Sequence, residues 1–286
     1  MRVAVILSSY NSPERLEKAL CGYSIQHHDD FELLVADDGS TDETRQIVER
    51  AAERLDLNIR HVWHEDDGFR KCTILNKAVA ETDADYLIFS DGDCVPRADF
   101  VAAHVALARP GRYLSGGCFR LSQEATRSLT CEQILAGRAA DLSFLNAHLP
   151  RMRLKKYRLA VDARTARLLD VLTTTRPTWN GHNSSCWRRD GLKVNGFDER
   201  MRYGGEDREF GERLVNVGVR PMQVRHRTIC VHLWHDRDYV CDEGLAENLR
   251  IRRLTRSRRA HQTAHGIAES CPELREKASG NGRGVA

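Results

Sequence analysis

Tyr86-Leu87-Ile88-Phe89-Ser90-Asp91-Gly92-Asp93 is an apolar run that stops in two carboxylates around one glycine. It is short, aromatic and branched, so it reads as a buried strand closing in an acidic turn. The same grammar occurs upstream. Val3-Ala4-Val5-Ile6-Leu7 runs into Ser8-Ser9-Tyr10-Asn11, and Leu33-Leu34-Val35-Ala36 runs into Asp37-Asp38-Gly39-Ser40-Thr41-Asp42. A further strand is expected at about Ile59 to Trp63. Between these strands the apolar residues recur at helical spacing. Leu16, Ala19, Leu20 and Tyr23 follow Ser12 as N-cap and Pro13 at the first helical position. Ile47, Ala51 and Leu55 follow a capping-box pattern of Ser40 and Glu43. Leu75, Ala78 and Val79 lie inward on a helix from about Lys71 to Glu81. Strand and helix in alternation imply parallel βαβ units and an α/β, doubly wound sheet. Such sheets bind ligands at the carboxyl ends of their strands, and each acidic turn sits at one.

The chain has 286 residues, 41% of them hydrophobic, enough for one large core or a core with a small appended unit. Its net charge is only +3, which argues against a nucleic-acid partner. No stretch approaches the ~20 apolar residues of a membrane span, and the first strand is too short for a signal core. The nine cysteines are scattered without CxxC spacing and read as reduced packing thiols, which points to a cytoplasmic location and away from zinc. No GxGxxG follows the first strand, so the dinucleotide fingerprint is absent. From about Leu121 to Thr178 the chain reads as helical and basic, with Arg151, Arg153, Lys155, Lys156, Arg158, Arg164 and Arg167 among leucines. Strand patterning resumes at Gln223–Arg225 and Thr228–Val231, and the glycine-rich tail from about Ser270 is expected to be disordered.

Five groups of residues carry chemistry. Asp91 and Asp93, two apart at a strand end, can share one Mg²⁺ or Mn²⁺ that would bridge the phosphates of a nucleoside diphosphate. The alternative is a polar turn. Asp37 and Asp38 can accept hydrogen bonds from a uracil N–H or a ribose hydroxyl, or serve only the turn and cap. Gly204-Gly205-Glu206-Asp207 opens a helix with Phe210, Leu214 and Val215 inward. Asp207 there is either a general base or one of several acids favoured by the helix dipole. His232 and His235 can add nitrogen to the metal sphere, which shifts the choice toward Mn²⁺. Trp179-Asn180-Gly181-His182-Asn183-Ser184-Ser185-Cys186-Trp187 offers aromatic faces and amide donors to a sugar, or is a loop before a buried tryptophan.

Taken together these residues resemble the family 2 glycosyltransferases of the GT-A fold. The matching segments are SSYNSPERL at 8–16, ADDGSTD at 36–42, DGFRKC at 67–72, FSDGDCVP at 89–96, NGFDERMRYGGEDREF at 195–210 and VHLWH at 231–235. The resemblance implies a mixed sheet and inverting transfer from an NDP-sugar, foremost a UDP-sugar, to a hydroxyl of a glycan or lipid-linked glycan. It sets Ser8, Tyr10, Asp37, Asp38, Arg70, Asp91 and Gly92 against the nucleotide. Asp93 and Asp91 would hold the metal with His235 or His232. Asp207 would be the base, beside Glu206, and Trp179, Asn180, His182, Asn183 and Gly205 would face acceptor or sugar. The segment from Gly204 to the histidines also resembles the galactosyltransferase-like part of chondroitin-polymerase-type enzymes. No QxxRW motif is present, which favours single additions over processive synthesis.

The expected division is a nucleotide-sugar half at 1–120, a helical basic insertion at 121–178 acting as an acceptor lid, a catalytic half at 179–240, and a basic helix with a tail at 241–286. The arginines of the insertion and of 250–259 also suit peripheral contact with anionic lipid on the inner face of the cytoplasmic membrane. Two other functions fit parts of the pattern. One is a sugar-1-phosphate nucleotidyltransferase, whose glycine-rich first loop is replaced here by Ser8-Ser9-Tyr10-Asn11. The other is a non-catalytic nucleotide- or glycan-binding module.

Overall fold

The structure is a computed structural model and describes residues 1–148, 154–236 and 241–271. The expected disordered tail therefore lies almost wholly outside the described residues, as do Arg151 and Arg153. The elements run β1 (Val3–Ser9), α1 (Pro13–Tyr23), β2 (Glu32–Asp37), α2 (Asp42–Leu55), β3 (Ile59–Trp63), α3 (Lys71–Glu81), β4 (Tyr86–Asp91), β5 (Cys94–Pro96) and α4 (Phe100–Leu107). Then come β6 (Arg112–Ser115), β7 (Gly117–Arg120), α5 (Gln123–Ser128), α6 (Cys131–Leu135), α7 (Leu142–His148), α8 (Ala163–Leu172), β8 (Ser184–Trp187) and α9 (Arg188–Lys193). The chain continues with α10 (Glu206–Asn216), β9 (Arg220–Gln223), β10 (Ile229–His232), α11 (Asp242–Ser257) and α12 (Ile267–Ser270).

The main sheet has the order β3-β2-β1-β4-β8-β6-β9, and a small sheet has the order β5-β10-β7. The first four main-sheet strands are parallel, while β8 runs antiparallel to both β4 and β6. The doubly wound, mixed α/β architecture is therefore as expected. β1 shows why it forms. Ala4 and Ile6 face the layer containing α3 and α10, while Val3, Val5 and Leu7 face the layer containing α1, α2 and α4. Alternation along one strand thus feeds two cores. Ile6 and Leu7 are fully buried, each worth about 1.5–3 kcal/mol in transfer energy.

The register brings the acidic turns together. Ser8 pairs with Asp91 across β1 and β4, and Ser9 pairs with Asp37 across β1 and β2. The strand order reverses beside β1, so a crevice opens there at the carboxyl ends. Between β2 and α2 the turn needs Gly39, whose φ is +94° and whose added Cβ would lie 2.5 Å from the Asp66 backbone. The helix start differs from the capping-box expectation. Thr41 is the N-cap of α2, and Ser40 Oγ instead accepts the Asn11 backbone N–H at 2.8 Å, tying β1's exit to β2's.

The insertion is helical, as expected. Phe119, Leu121, Ala125, Leu129, Ile134, Phe144 and Leu145 pack with Val95, Ile229, Val231 and Leu233, which roots α5 to α7 on the small sheet. Two local expectations fail. Ser184–Trp187 is a strand of the main sheet and not part of a loop. Val215 is 45% exposed, although Phe210 and Leu214 are buried as expected. On α11, Arg252 and Arg256 both pair with Glu212 at 2.6 Å and Arg250 pairs with Glu247.

Candidate active site

A cleft of about 570 Å³ lies along the carboxyl ends of β1 and β4 and is closed on the far side by α10 and the chain after β10. Ser8, Tyr10, Asp38, Asp91, Gly92, Asp93, His182, Glu206, Asp207, His232 and His235 all line it. Residues as far apart in the sequence as Ser8 and His235 meet here, so the spaced segments form one site.

Asp91 is held from two sides. Ser8 Oγ donates to its Oδ1 at 2.8 Å, and Lys71 Nζ donates to the same oxygen at 2.9 Å. Burial opposes the charge of Asp91, but the Lys71 ammonium, His182 and the hydrogen bonds from Lys71 and Ser8 together outweigh it and hold the carboxyl well below the usual carboxylate range. Lys71 is itself kept charged: burial works against it, and Asp91, Asp207 and Glu206 together prevail.

Asp93 faces two imidazoles. His235 Nε2 lies 3.1 Å and His232 Nε2 lies 3.8 Å from its oxygens, and the two rings stack at 5.4 Å. His232 Nδ1 donates to the Leu233 carbonyl and His235 Nδ1 to the Asp236 carbonyl, at 2.7 and 2.6 Å. Those bonds turn each Nε2 toward Asp93, the orientation that backbone carbonyls impose on ligating histidines. Asp93, Cys94 and His232 also place one ligand atom each within 4.8 Å of one another. Burial raises the Cys94 thiol well above its ordinary range, and the donors beside it that suit a hard cation are carboxylate and imidazole. That set fits Mn²⁺ or Mg²⁺, with the nitrogens favouring Mn²⁺.

Asp207 stands in the first turn of α10. Its Oδ2 accepts the Gly181 backbone N–H at 2.9 Å, while its Oδ1 is shielded and has no hydrogen-bond partner among the described residues. Burial, followed by the charge of Glu206, pushes its pKa up to about 7. A carboxylate with one anchored oxygen, one unsatisfied oxygen and a pKa near neutrality is equipped to take a proton. Gly181 permits this approach: a Cβ there would fall 2.7 Å from Asp207 Oδ2. Glu206 is buried and accepts the Gly204 backbone N–H at 2.8 Å.

Asp38 is buried at the other end of the cleft. Its Oδ2 accepts the Arg70 backbone N–H at 2.9 Å, and its Oδ1 meets His64 Nε2 at 2.8 Å. Burial drives Asp38 up to about 7 and His64 down to about 4, so His64 is neutral at physiological pH. Lys77 Nζ lies 3.4 Å from His64 Nδ1, which leaves Nε2 to donate to Asp38.

Several expected site residues sit elsewhere. Asp37 is fully buried, with its carboxylate on Ser40 N–H and His61. Arg70 turns its guanidinium to the Glu65 carbonyl and Asp67, and reaches the site only through its backbone N–H. Trp179 is 1% exposed and packs edge-on against Phe89 and Phe210 and at a tilt against Tyr113, so its face is not open to a sugar. Asn180 Nδ2 donates to Ser115 Oγ. Asn183 is fully buried, donating to the Gly117 and Thr228 carbonyls and facing His104. Gly205 caps α10 at φ +101° against Arg252. Of the proposed sugar-facing group only His182 reaches the cleft, where burial takes its pKa down to about 4. The aromatic wall is made instead by Phe69 and Tyr203, packed edge to face at 6.3 Å, both lining the cleft. Lys71, Arg15 and Arg120 are further cationic lining residues that the sequence reading passed over.

Residues 4–204 match glycosyl transferase family 2, which covers the greater part of the chain. The chain belongs to this family. Residues 174–236 also match the description "N-terminal domain of galactosyltransferase". Family 2 membership sets the nucleotidyltransferase alternative aside. Validoxylamine A glucosyltransferase of Streptomyces hygroscopicus subsp. jinggangensis is 30% identical over 254 residues, 83% of this chain and 56% of that protein. Chondroitin synthase of Escherichia coli is 26% identical over 234 residues, 76% of this chain and 32% of the synthase. The chain thus spans about half, or less, of the length of these curated relatives. Among solved structures, S. aureus TarS 1–349 in complex with UDP-GlcNAc superposes with a TM-score of 0.60 at 17% identity, over 89% of this chain and 66% of that one. The mannosyltransferase PcManGT of Pyrobaculum calidifontis, in complex with GDP-Man and Mn²⁺, gives 0.56 at 19% identity, over 99% of this chain and 76% of that one. At such identities the likeness establishes the GT-A fold.

Proposed function

We propose that this family 2 member is an inverting, divalent-metal-dependent glycosyltransferase that moves a sugar from a UDP-sugar to a hydroxyl of a glycan or lipid-linked glycan. The observation that carries the proposal is the unpartnered Oδ1 of Asp207, a residue that lines the same cleft as Asp91, Asp93, His232 and His235. One cleft thus carries both a base candidate and a cation-site candidate, as a single displacement between acceptor and leaving diphosphate needs. The UDP-bound TarS and the Mn²⁺-bound mannosyltransferase, which share the fold, support the donor class and the cation.

Asp93, His232 and His235 would hold the cation, with Asp91 beside them. When bound, it neutralises charge that builds on the departing diphosphate. The chain's own groups do the rest. Asp207 takes the proton of the acceptor hydroxyl at Oδ1, while Gly181 N–H fixes its other oxygen. Lys71 ties Asp91 in place and sets a positive charge between the two carboxylate walls. Asp38 lies at the end of the cleft suited to base or ribose, and Phe69 with Tyr203 supplies an apolar wall for a ring.

A thermal-shift screen with UDP-, GDP-, CDP- and dTDP-sugars, each with and without Mn²⁺, tests the donor class. Stabilisation by a UDP-sugar that grows with ligand concentration and needs the metal supports the proposal. Turnover then decides between an enzyme and a binding module, and proton NMR of the product should show the inverted anomer. A retained anomer would overturn the single displacement.

A further inference from the structure

α8 is built inside out. Its buried residues are Ala166 and Asp170, while Leu168, Val171 and Leu172 are 57%, 76% and 65% exposed. The inward Asp170 is an anchor. Its Oδ1 accepts the His226 backbone N–H at 2.9 Å and lies 2.9 Å from His226 Nδ1, and its Oδ2 accepts Arg227 Nε at 2.7 Å. Asp162 caps the start of the helix by accepting from Arg164 and Thr165. The outward face is thus rigidly presented. At 100° per residue Arg167, Val171, Arg164, Leu168 and Leu172 fall in that order across one side of the helix.

That face is basic as well as apolar. Arg164 and Arg167 are exposed and join no ion pair among the described residues. Arg158 lies close enough to Arg225 to lower its pKa further, after burial has done most of it. On the helix itself the acids are the cap Asp162 and the buried Asp170, which is already paired with Arg227. The arginines of α11 present the opposite case, since Arg250, Arg252 and Arg256 are matched by glutamates. Large aliphatics beside unpaired arginines, with Val171 between the two arginines, Leu168 and Leu172 beyond Arg164 and a polar residue anchoring the back, form the pattern of a helix that lies in a membrane interface. A two-fold contact between copies of this chain would set Arg164 and Arg167 close to their own duplicates.

We propose that α8 is a docking face for an anionic bilayer surface, with Leu168, Val171 and Leu172 entering the headgroup layer and Arg164 and Arg167 meeting acidic lipids. No described helix is long and apolar enough to cross a membrane, so the contact is peripheral. The proposal is independent of the glycosyl-transfer reading, because binding is measured without donor or acceptor.

The experiment is flotation of the full chain with phosphatidylcholine vesicles, with and without phosphatidylglycerol, at low and high salt. Binding is expected only to the anionic vesicles and should weaken with salt. The Arg164→Gln/Arg167→Gln variant should lose roughly 25-fold in partition, at about fivefold per arginine. The Leu168→Ser/Val171→Ser/Leu172→Ser variant should lose at least roughly tenfold. These positions are exposed, so both variants should melt like the parent protein. The Arg253→Gln/Arg258→Gln variant in and after α11 should bind as the parent does. No flotation of the parent protein with anionic vesicles at low salt overturns the proposal, as does flotation that survives both α8 variants. A lipid-free dimer in sedimentation equilibrium that the triple serine variant abolishes also overturns it, by assigning the face to self-association.

Discussion

In the proposed mechanism the chemistry turns on Asp207, and its surroundings make two testable demands. Asp207→Asn removes the proton acceptor and keeps the shape, so the transfer rate should fall about 10²–10⁴-fold. The same change should not lower the melting temperature at mildly alkaline pH. A carboxyl whose pKa rises from the ordinary 3.8 to about 7 on folding costs stability once pH exceeds its unfolded value, and asparagine lacks that cost. For the parent enzyme, kcat/KM should rise with pH up to about 7 and level off above it, since the ionised form is active. A flat profile through neutrality would remove Asp207 from the role. Gly181→Ala places a methyl 2.7 Å from Asp207 Oδ2 and should displace the base, lowering kcat on the order of 10²-fold while the protein stays folded. Asp207 was legible as a candidate base in the Gly204-Gly205-Glu206-Asp207 sequence. That of Gly181 was not, because it depends on a contact between residues 26 apart that no local pattern encodes. Lys71 escaped notice for the same reason: its charge matters only because α3 begins beside the end of β4.

At the scale of elements, the strands and helices of the first 91 residues were readable because each βαβ unit carries its own period and its own turn. The second half was harder. β5 to β8 are strands of three or four residues, too short to show alternation, and β8 is defined by pairing with β4 and β6 rather than by its own sequence. That is why Trp179, Asn180 and Asn183 read as a sugar-binding loop. In the fold, Trp179 fills the core beneath β4 and Asn183 joins the two sheets through the Gly117 and Thr228 carbonyls. Trp179→Ala should therefore cost about 3–5 kcal/mol in urea unfolding. Asn183→Ala, which strands two buried carbonyls and His104, should cost about 3 kcal/mol. A variant of either residue with parental stability and an altered acceptor KM would restore the sugar-binding reading.

Across the whole molecule, the cleft is an interface between a parallel half that ends in Asp38, Asp91 and Asp93 and a later half that contributes His182, Asp207, His232 and His235. The two halves meet through β4 and β8 and through the small sheet, whose β10 delivers His232 opposite Cys94 of β5. Neither half holds a complete site, so the order of the motifs in the chain was more telling than any one of them. The central claim is that this cleft binds a nucleoside diphosphate through a metal held at Asp93. Titration calorimetry of UDP with and without Mn²⁺, on the parent protein and on Asp93→Ala, tests it most directly. UDP binding that requires Mn²⁺ and disappears in Asp93→Ala is the result the account predicts. Binding of equal strength without metal, or in the variant, would contradict it.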